Sequence, residues 1–168
     1  MAWDEVEQEI VDALKAIDEC SDGWPDGKCT RRIKKSLRRI GKKRGFVVRP
    51  TRKGSGKQRE WLYDLCWRKE DAQGRLLEMP LVMESEWDYR ESELVRDFEK
   101  LLIARAKYRV FLFYKKTADE SPSFVKRLVG QICAYGGTSV GDRYLFGCWP
   151  DDDDWQFQQY VHGAGDAA

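Results

Sequence analysis

Residues 76–87, "LLEMPLVMESEW", decide how this chain is read, because a run that otherwise has the make-up of a buried strand ends on Glu84, Ser85 and Glu86. Side chains two apart on a strand point the same way, so Glu84 and Glu86 are expected on one face. Carboxylates at the end of a buried strand are costly unless something offsets them.

Working outward, "EWLYDLCWRKE" (60–70) predicts a second strand, with Trp61, Tyr63, Leu65 and Trp67 on one side and Leu62, Asp64 and Cys66 on the other. "DAQGR" (71–75) is the turn between the two strands. Downstream, Leu94, Phe98, Leu101, Leu102 and Arg105 mark one face of a helix from about Ser92 to Lys107. "YRVFLFYK" (108–115) is an apolar run short enough for a central strand, and "SPSFVKRLVGQICAYG" (121–136) opens on a Ser cap into another helix. "RYLFGCWP" (143–150) closes the pattern as the last strand.

Toward the amino end, Trp3, Val6, Ile10, Ala13, Leu14 and Ile17 recur at helical spacing and predict an amphipathic helix over 3–19. "SDGWPDG" is a loop, and "CTRRIKKSLRRIGKKRG" is a basic helix with a thin apolar stripe of Ile33, Leu37 and Ile40, ended by Gly41. "GFVVRP" is a strand and "TRKGSGKQR" a flexible basic loop. The order α, α, β, β, β, α, β, α, β implies an α/β protein with a central mixed β-sheet flanked by helices. The 168 residues suit a single domain over 1–160, followed by a flexible tail at 161–168.

Composition excludes several classes. With 35% charged residues and no apolar stretch of spanning length, no membrane segment is expected, and "MAWDEVEQEI" lacks the order of a signal peptide. The reading is a soluble, cytoplasmic protein, with a homodimer among the arrangements it allows. Its five cysteines are scattered with no CxxC, so reduced thiols and no zinc site are expected. A single histidine, His162, in the tail removes His-based triads and His-metal fingers. The seven tryptophans are read chiefly as core, and "DDDD" (151–154) as a solvated run.

The net charge of +1 hides a segregation, since Lys28 to Arg59 holds 15 of the 30 basic residues and no Asp or Glu. Such density suits phosphate, which makes nucleic acid the expected partner, with Arg31, Lys35, Arg38, Lys42, Arg52, Lys53, Lys57 and Arg59 as candidate contacts. A solvated face balanced by the acidic first helix, an anionic protein or a lipid surface would use the same charges. If the strands around Asp64 and Glu84 pair as a hairpin, the two carboxylates lie side by side. Oxygen-only ligands then favour Mg²⁺ or Mn²⁺, whereas the bland reading has them facing water or pairing with Arg and Lys.

Asp64 on the second strand and Glu84-Ser85-Glu86 on the third, 20 positions later, in a helix-strand-strand-strand-helix-strand order, resemble the PD-(D/E)xK nuclease superfamily over roughly residues 3–149. The resemblance implies a restriction-endonuclease-like αβββαβ core and phosphodiester hydrolysis, with Asp64 and Glu84 as metal ligands and Ser85 at the variable position. Glu86 falls where the family has its lysine, which is a departure. Some members supply that lysine from the following helix, which nominates Lys100 in "DFEKLL", although helical phase sets Lys100 nearly opposite the Leu94, Phe98, Leu101 and Leu102 stripe. Lys57 and Lys107 are weaker substitutes. From the first helix the resemblance nominates Glu9 over Glu5 and Glu7. The alternative is a catalytically inactive module of the same fold that binds nucleic acid or a protein partner.

Overall fold

The computed structural model describes residues 3–17, 27–50, 62–151 and 154–164. Its frame is one sheet of six strands in chain order: β1 (Val47–Pro50), β2 (Leu65–Glu70), β3 (Leu76–Glu86), β4 (Tyr108–Lys115), β5 (Arg143–Pro150) and β6 (Gln156–Val161). The two ends are antiparallel and the centre is parallel: β1, β2 and β3 form a meander, β3–β4 and β4–β5 run parallel, and β6 folds back on β5. Each parallel step needs a crossover, supplied by α3 (Glu91–Leu102) and then α4 (Glu120–Ala134). The two helices cover one face with Phe98, Leu101, Phe124 and Leu128 on Val82, Phe111, Phe113 and Phe146. On the other face, α1 (Glu5–Lys15) and α2 (Gly27–Lys43) lay Ile10, Leu14, Ile33 and Leu37 on Leu65, Trp67, Met83, Val110 and Leu112. With helices on both faces, β4 is buried along its whole length, and its sequence is accordingly apolar without alternation.

The mixed, helix-flanked sheet is thus the expected architecture, and several boundaries have moved. The helix expected to reach Lys107 ends at Leu102. There the buried Arg109 donates from Nε to the Leu101 carbonyl (3.1 Å) and from Nη2 to that of Ala104 (2.8 Å). Its Nη1 lies 3.2 Å from Asp142 Oδ1, and its guanidinium 5.0 Å from the Tyr144 ring. The expected Ser cap of α4 is absent: Ser121 lies inside the helix, buried. Residues 62–64 bend before β2 begins at Leu65. β6 is an element the sequence reading lacks; it takes in Val161, and the His162 N–H donates to the Asp142 carbonyl, so the chain remains in register with the sheet past the expected start of the tail. Cys29 is disulfide-bonded, against the expectation of reduced thiols, while Cys66, Cys133 and Cys148 are free.

Gly41 does not end α2; the helix continues to Lys43, and Gly45, at φ 81°, makes the turn. Its lack of a side chain serves packing instead. A Cβ there would stand 2.6 Å from Trp67 Nε1 and 2.7 Å from Val48 Cγ2, and Trp67 Nε1 donates to the Leu37 carbonyl at 3.1 Å. Fully buried Trp67 can therefore lie against the α2 backbone only where that helix has no side chain. Gly41→Ala is expected to destabilise the fold by about 1–3 kcal/mol through overpacking, despite alanine's better helix propensity. A urea midpoint at or above the wild-type value would refute this account of Gly41.

Candidate functional site

Glu84 lies near the carboxyl end of β3 and is only 3% exposed. It is in phase with Val82, which packs under α3 and α4, so its carboxylate leaves the sheet on that side. The group that meets it is Lys100, whose Nζ lies 3.4 Å from Glu84 Oε2 and 2.7 Å from Asp97 Oδ1 one turn earlier in α3. The helical phase of Lys100 is as expected from sequence, but its consequence is not. A four-carbon stem reaches around the helix, and the buried Asp97 at its inner flank draws the ammonium back toward the strand.

Asp97 continues the chain of contacts to Glu86, whose carboxyl group shares a hydrogen bond with it and also accepts the Asp88 N–H at 2.8 Å. Burial, and then the bond to Asp97, push Glu86 above the ordinary carboxylate range. Burial, and then the Asp64 charge, push Glu84 up to about 8. For Lys100, burial works against the charged form, but the bond to Asp97 and the charge of Glu84 outweigh it, and its pKa stays raised. The site therefore holds a secure ammonium beside two glutamates, Glu84 and Glu86, that retain protons more readily than usual.

Asp64 stands one residue before β2, on the continuation of the Leu65↔Met83 register, which puts it across from Glu84. Regular alternation would turn both carboxylates to the same face. The bend at 62–64 breaks that alternation: Tyr63 packs with the α3 and α4 cluster, as Cys66 does, although Leu65 between them faces α1 and α2. Asp64 goes the other way. Its Oδ1 accepts from Lys34 Nζ of α2 at 2.8 Å, and its Oδ2 accepts from the Ser85 N–H at 3.0 Å and the Ser85 hydroxyl at 2.6 Å. The two acids stay near enough for Asp64 to help keep the proton on Glu84, but they serve different helical layers, which corrects the expected side-by-side pair on one face.

For a divalent cation the donor chemistry fits, since all the acids offer oxygen and Glu84 Oε1 is buried without a hydrogen-bond partner. Both oxygens of Asp64 are already engaged, so it could serve as a second ligand only by releasing Lys34 or Ser85. Among the described residues no three His, Cys, Asp or Glu side chains are gathered to hold a metal.

The remaining sequence candidates separate. Glu9 is bound by Arg44 (2.8 Å) and Lys43 (3.2 Å) at the far end of α2, about 13 Å along the helix from Lys34, which touches Asp64. Its contacts exclude it from the cluster. Glu7, passed over in the sequence reading, is buried and holds Arg143 at 2.6 Å. Lys107 lies over the Tyr108 ring at the opposite end of β4. Arg31, Lys35, Arg38 and Lys42 form one exposed stripe at helical spacing along α2 and make no ion pair with the described residues. Arg52, Lys53, Lys57 and Arg59 lie outside the described residues. Of the tryptophans, Trp67, Trp149 and Trp155 are core.

Asp97, Lys34 and Tyr63 are neighbours of the site that the sequence does not nominate. Only Asp97 left a signal, its i, i+3 spacing to Lys100 in "DFEK". Comparison with family models, with curated proteins and with solved structures gave no match.

Because Glu84 binds its proton more tightly folded than unfolded, its contribution to stability is complete below about pH 4.5 and is lost as pH rises through about 8. Glu84→Gln removes that dependence. Relative to the variant, the wild type should lose on the order of a few kcal/mol between those limits, measured by urea unfolding at a series of pH values. Parallel profiles would show that Glu84 is ionised in the folded protein at neutral pH.

Proposed function

We propose that the chain is a metal-dependent nuclease of the restriction-endonuclease-like kind, hydrolysing phosphodiester bonds of DNA or RNA. The observation that carries this reading is the 3.4 Å approach of Lys100 Nζ to Glu84 Oε2. Glu86 occupies the position where the resemblance calls for a lysine, and the resemblance also includes chains in which the following helix supplies it. Here the following helix delivers an ammonium to Glu84, and Glu86 acts on that ammonium indirectly, by holding Asp97.

Glu84 and Asp64 are the residues that would hold Mg²⁺ or Mn²⁺, and the ion would lower the pKa of a bound water and polarise the phosphate. The side chains of this chain do the rest. Lys100 is fixed by two acids, so it stays charged where negative charge grows on the phosphate. Lys34, on the Asp64 side, offers a second cation from the opposite layer. Arg31, Lys35, Arg38 and Lys42 span about 16 Å of α2, facing a polymer that carries a charge roughly every 1.7 Å of duplex axis. Contacts of this kind position a backbone without reading its sequence.

One observation favours the second reading, a module of this fold that binds nucleic acid without cutting it: Asp64 is saturated by Lys34 and Ser85. The two readings share the α2 stripe and differ at Lys100. Lys100→Ala should lower Mg²⁺-dependent cleavage of a labelled oligonucleotide by about 10²–10³-fold. Its affinity for the same oligonucleotide in EDTA should stay within about twofold. Wild-type protein that binds but yields no product with Mg²⁺ or Mn²⁺ would select the non-cutting reading. Replacing Lys35 and Arg38 together by alanine should reduce the slope of log affinity against log salt by about 2. An unchanged slope would remove α2 from the interface.

A further inference from the structure

The loop 87–90 between β3 and α3 lies beyond the carboxyl ends of the parallel strands β3 and β4, where open α/β sheets take their ligands. It holds Tyr89, 53% exposed, while three of the chain's tryptophans are buried in the core. The residues on either side of Tyr89 are tied down: the Asp88 N–H donates to Glu86 Oε1, and Arg90 donates through Nε and Nη2 to Asp88 Oδ2 at 2.9 and 2.6 Å. One step earlier, Trp87 Nε1 donates to Thr30 Oγ1 at 3.0 Å. That bond fastens the loop to the first turns of α2, beside Arg31, where the basic stripe begins. On the β4 side, exposed Lys116 brings its Nζ to 5.0 Å from the centre of the Tyr89 ring. A half-exposed aromatic side chain on a braced loop, with a cation against its ring, stands three residues past Glu86 and level with the start of the basic track.

We propose that Tyr89 and Lys116 form a stacking platform for an unpaired base, so that the site takes single-stranded nucleic acid. The inference rests on the nucleic-acid reading above and gives it a substrate class. In a duplex both faces of each base are covered by neighbours, so a protein ring can stack only on a base that has left the stack. Every base has such a face, so the platform is indifferent to sequence, and Lys116 supplies charge for the adjoining phosphate.

The test is fluorescence anisotropy with oligothymidylate and oligouridylate of about twelve nucleotides and with a blunt duplex of the same length, all at one salt concentration. Tyr89→Ala should weaken the tighter of the two single strands about tenfold while changing duplex affinity less than twofold, and Tyr89→Phe should bind like the wild type. Equal losses on single strand and duplex, or no loss on either, would overturn the platform. It would do so without touching the parent reading, provided that the Lys35 and Arg38 double substitution still weakens all the probes. Wild-type protein that binds none of the probes at low salt would overturn both.

Discussion

Glu84 has been taken out of water on the strand that pairs with the fully buried β4, and its neighbours must do what solvent no longer does. An isolated buried carboxylate is costly, and the answer here is asymmetric. One oxygen is approached by Lys100, and the other, without a hydrogen-bond partner, is open to a proton or a cation. Asp97 and Glu86 follow from that arrangement. An ammonium on a long stem needs a second anchor to stay near the sheet; Asp97 provides it, and Glu86 in turn steadies Asp97. The departure at Glu86 and the lysine on α3 therefore belong to one polar chain.

Acid and base are divided between the first two helices by position along them. Glu5 and Glu9 neutralise Arg44 and Lys43, at and just beyond the end of α2. Glu7 turns inward to Arg143 and contributes nothing to that balance. Among the described residues, acidic α1 accordingly screens the basic face only at the end of α2. The stripe from Arg31 to Lys42 makes no ion pair with the described residues, and its first residues sit where α2 touches Asp64 and Trp87.

What could be read from sequence follows from how strongly each element depends on its own residues. The strands at 108–115 and 143–150 were legible to the residue, because parallel strands covered on both faces are written as uninterrupted apolar runs. "QFQQYV" was not, since a half-buried edge strand rich in glutamine carries no such mark. Helix ends were misjudged where a tertiary partner decides them, as Arg109 does for α3. Local propensity makes Gly41 a helix stop, whereas its reason lies in Trp67 across the layer. In the site, the acids of β2 and β3 were legible from spacing, but the direction of Asp64 depends on a three-residue bend that alternation cannot foresee. The reach of Lys100 depends on a side-chain partner, which a wheel of Cα positions leaves out.

Arg109 lends the architecture a property that none of the site residues possesses. By donating from the second residue of β4 to the carbonyls of Leu101, in the last turn of α3, and of Ala104, just past it, it acts as the stop against which that helix is seated. The axial height of the helix, and with it the level at which Lys100 meets β3, is thereby referred to the neighbouring strand as well as to the connecting loop. The spacing between ammonium and carboxylate is thus gauged in part from outside the cluster, by a residue that touches none of its members.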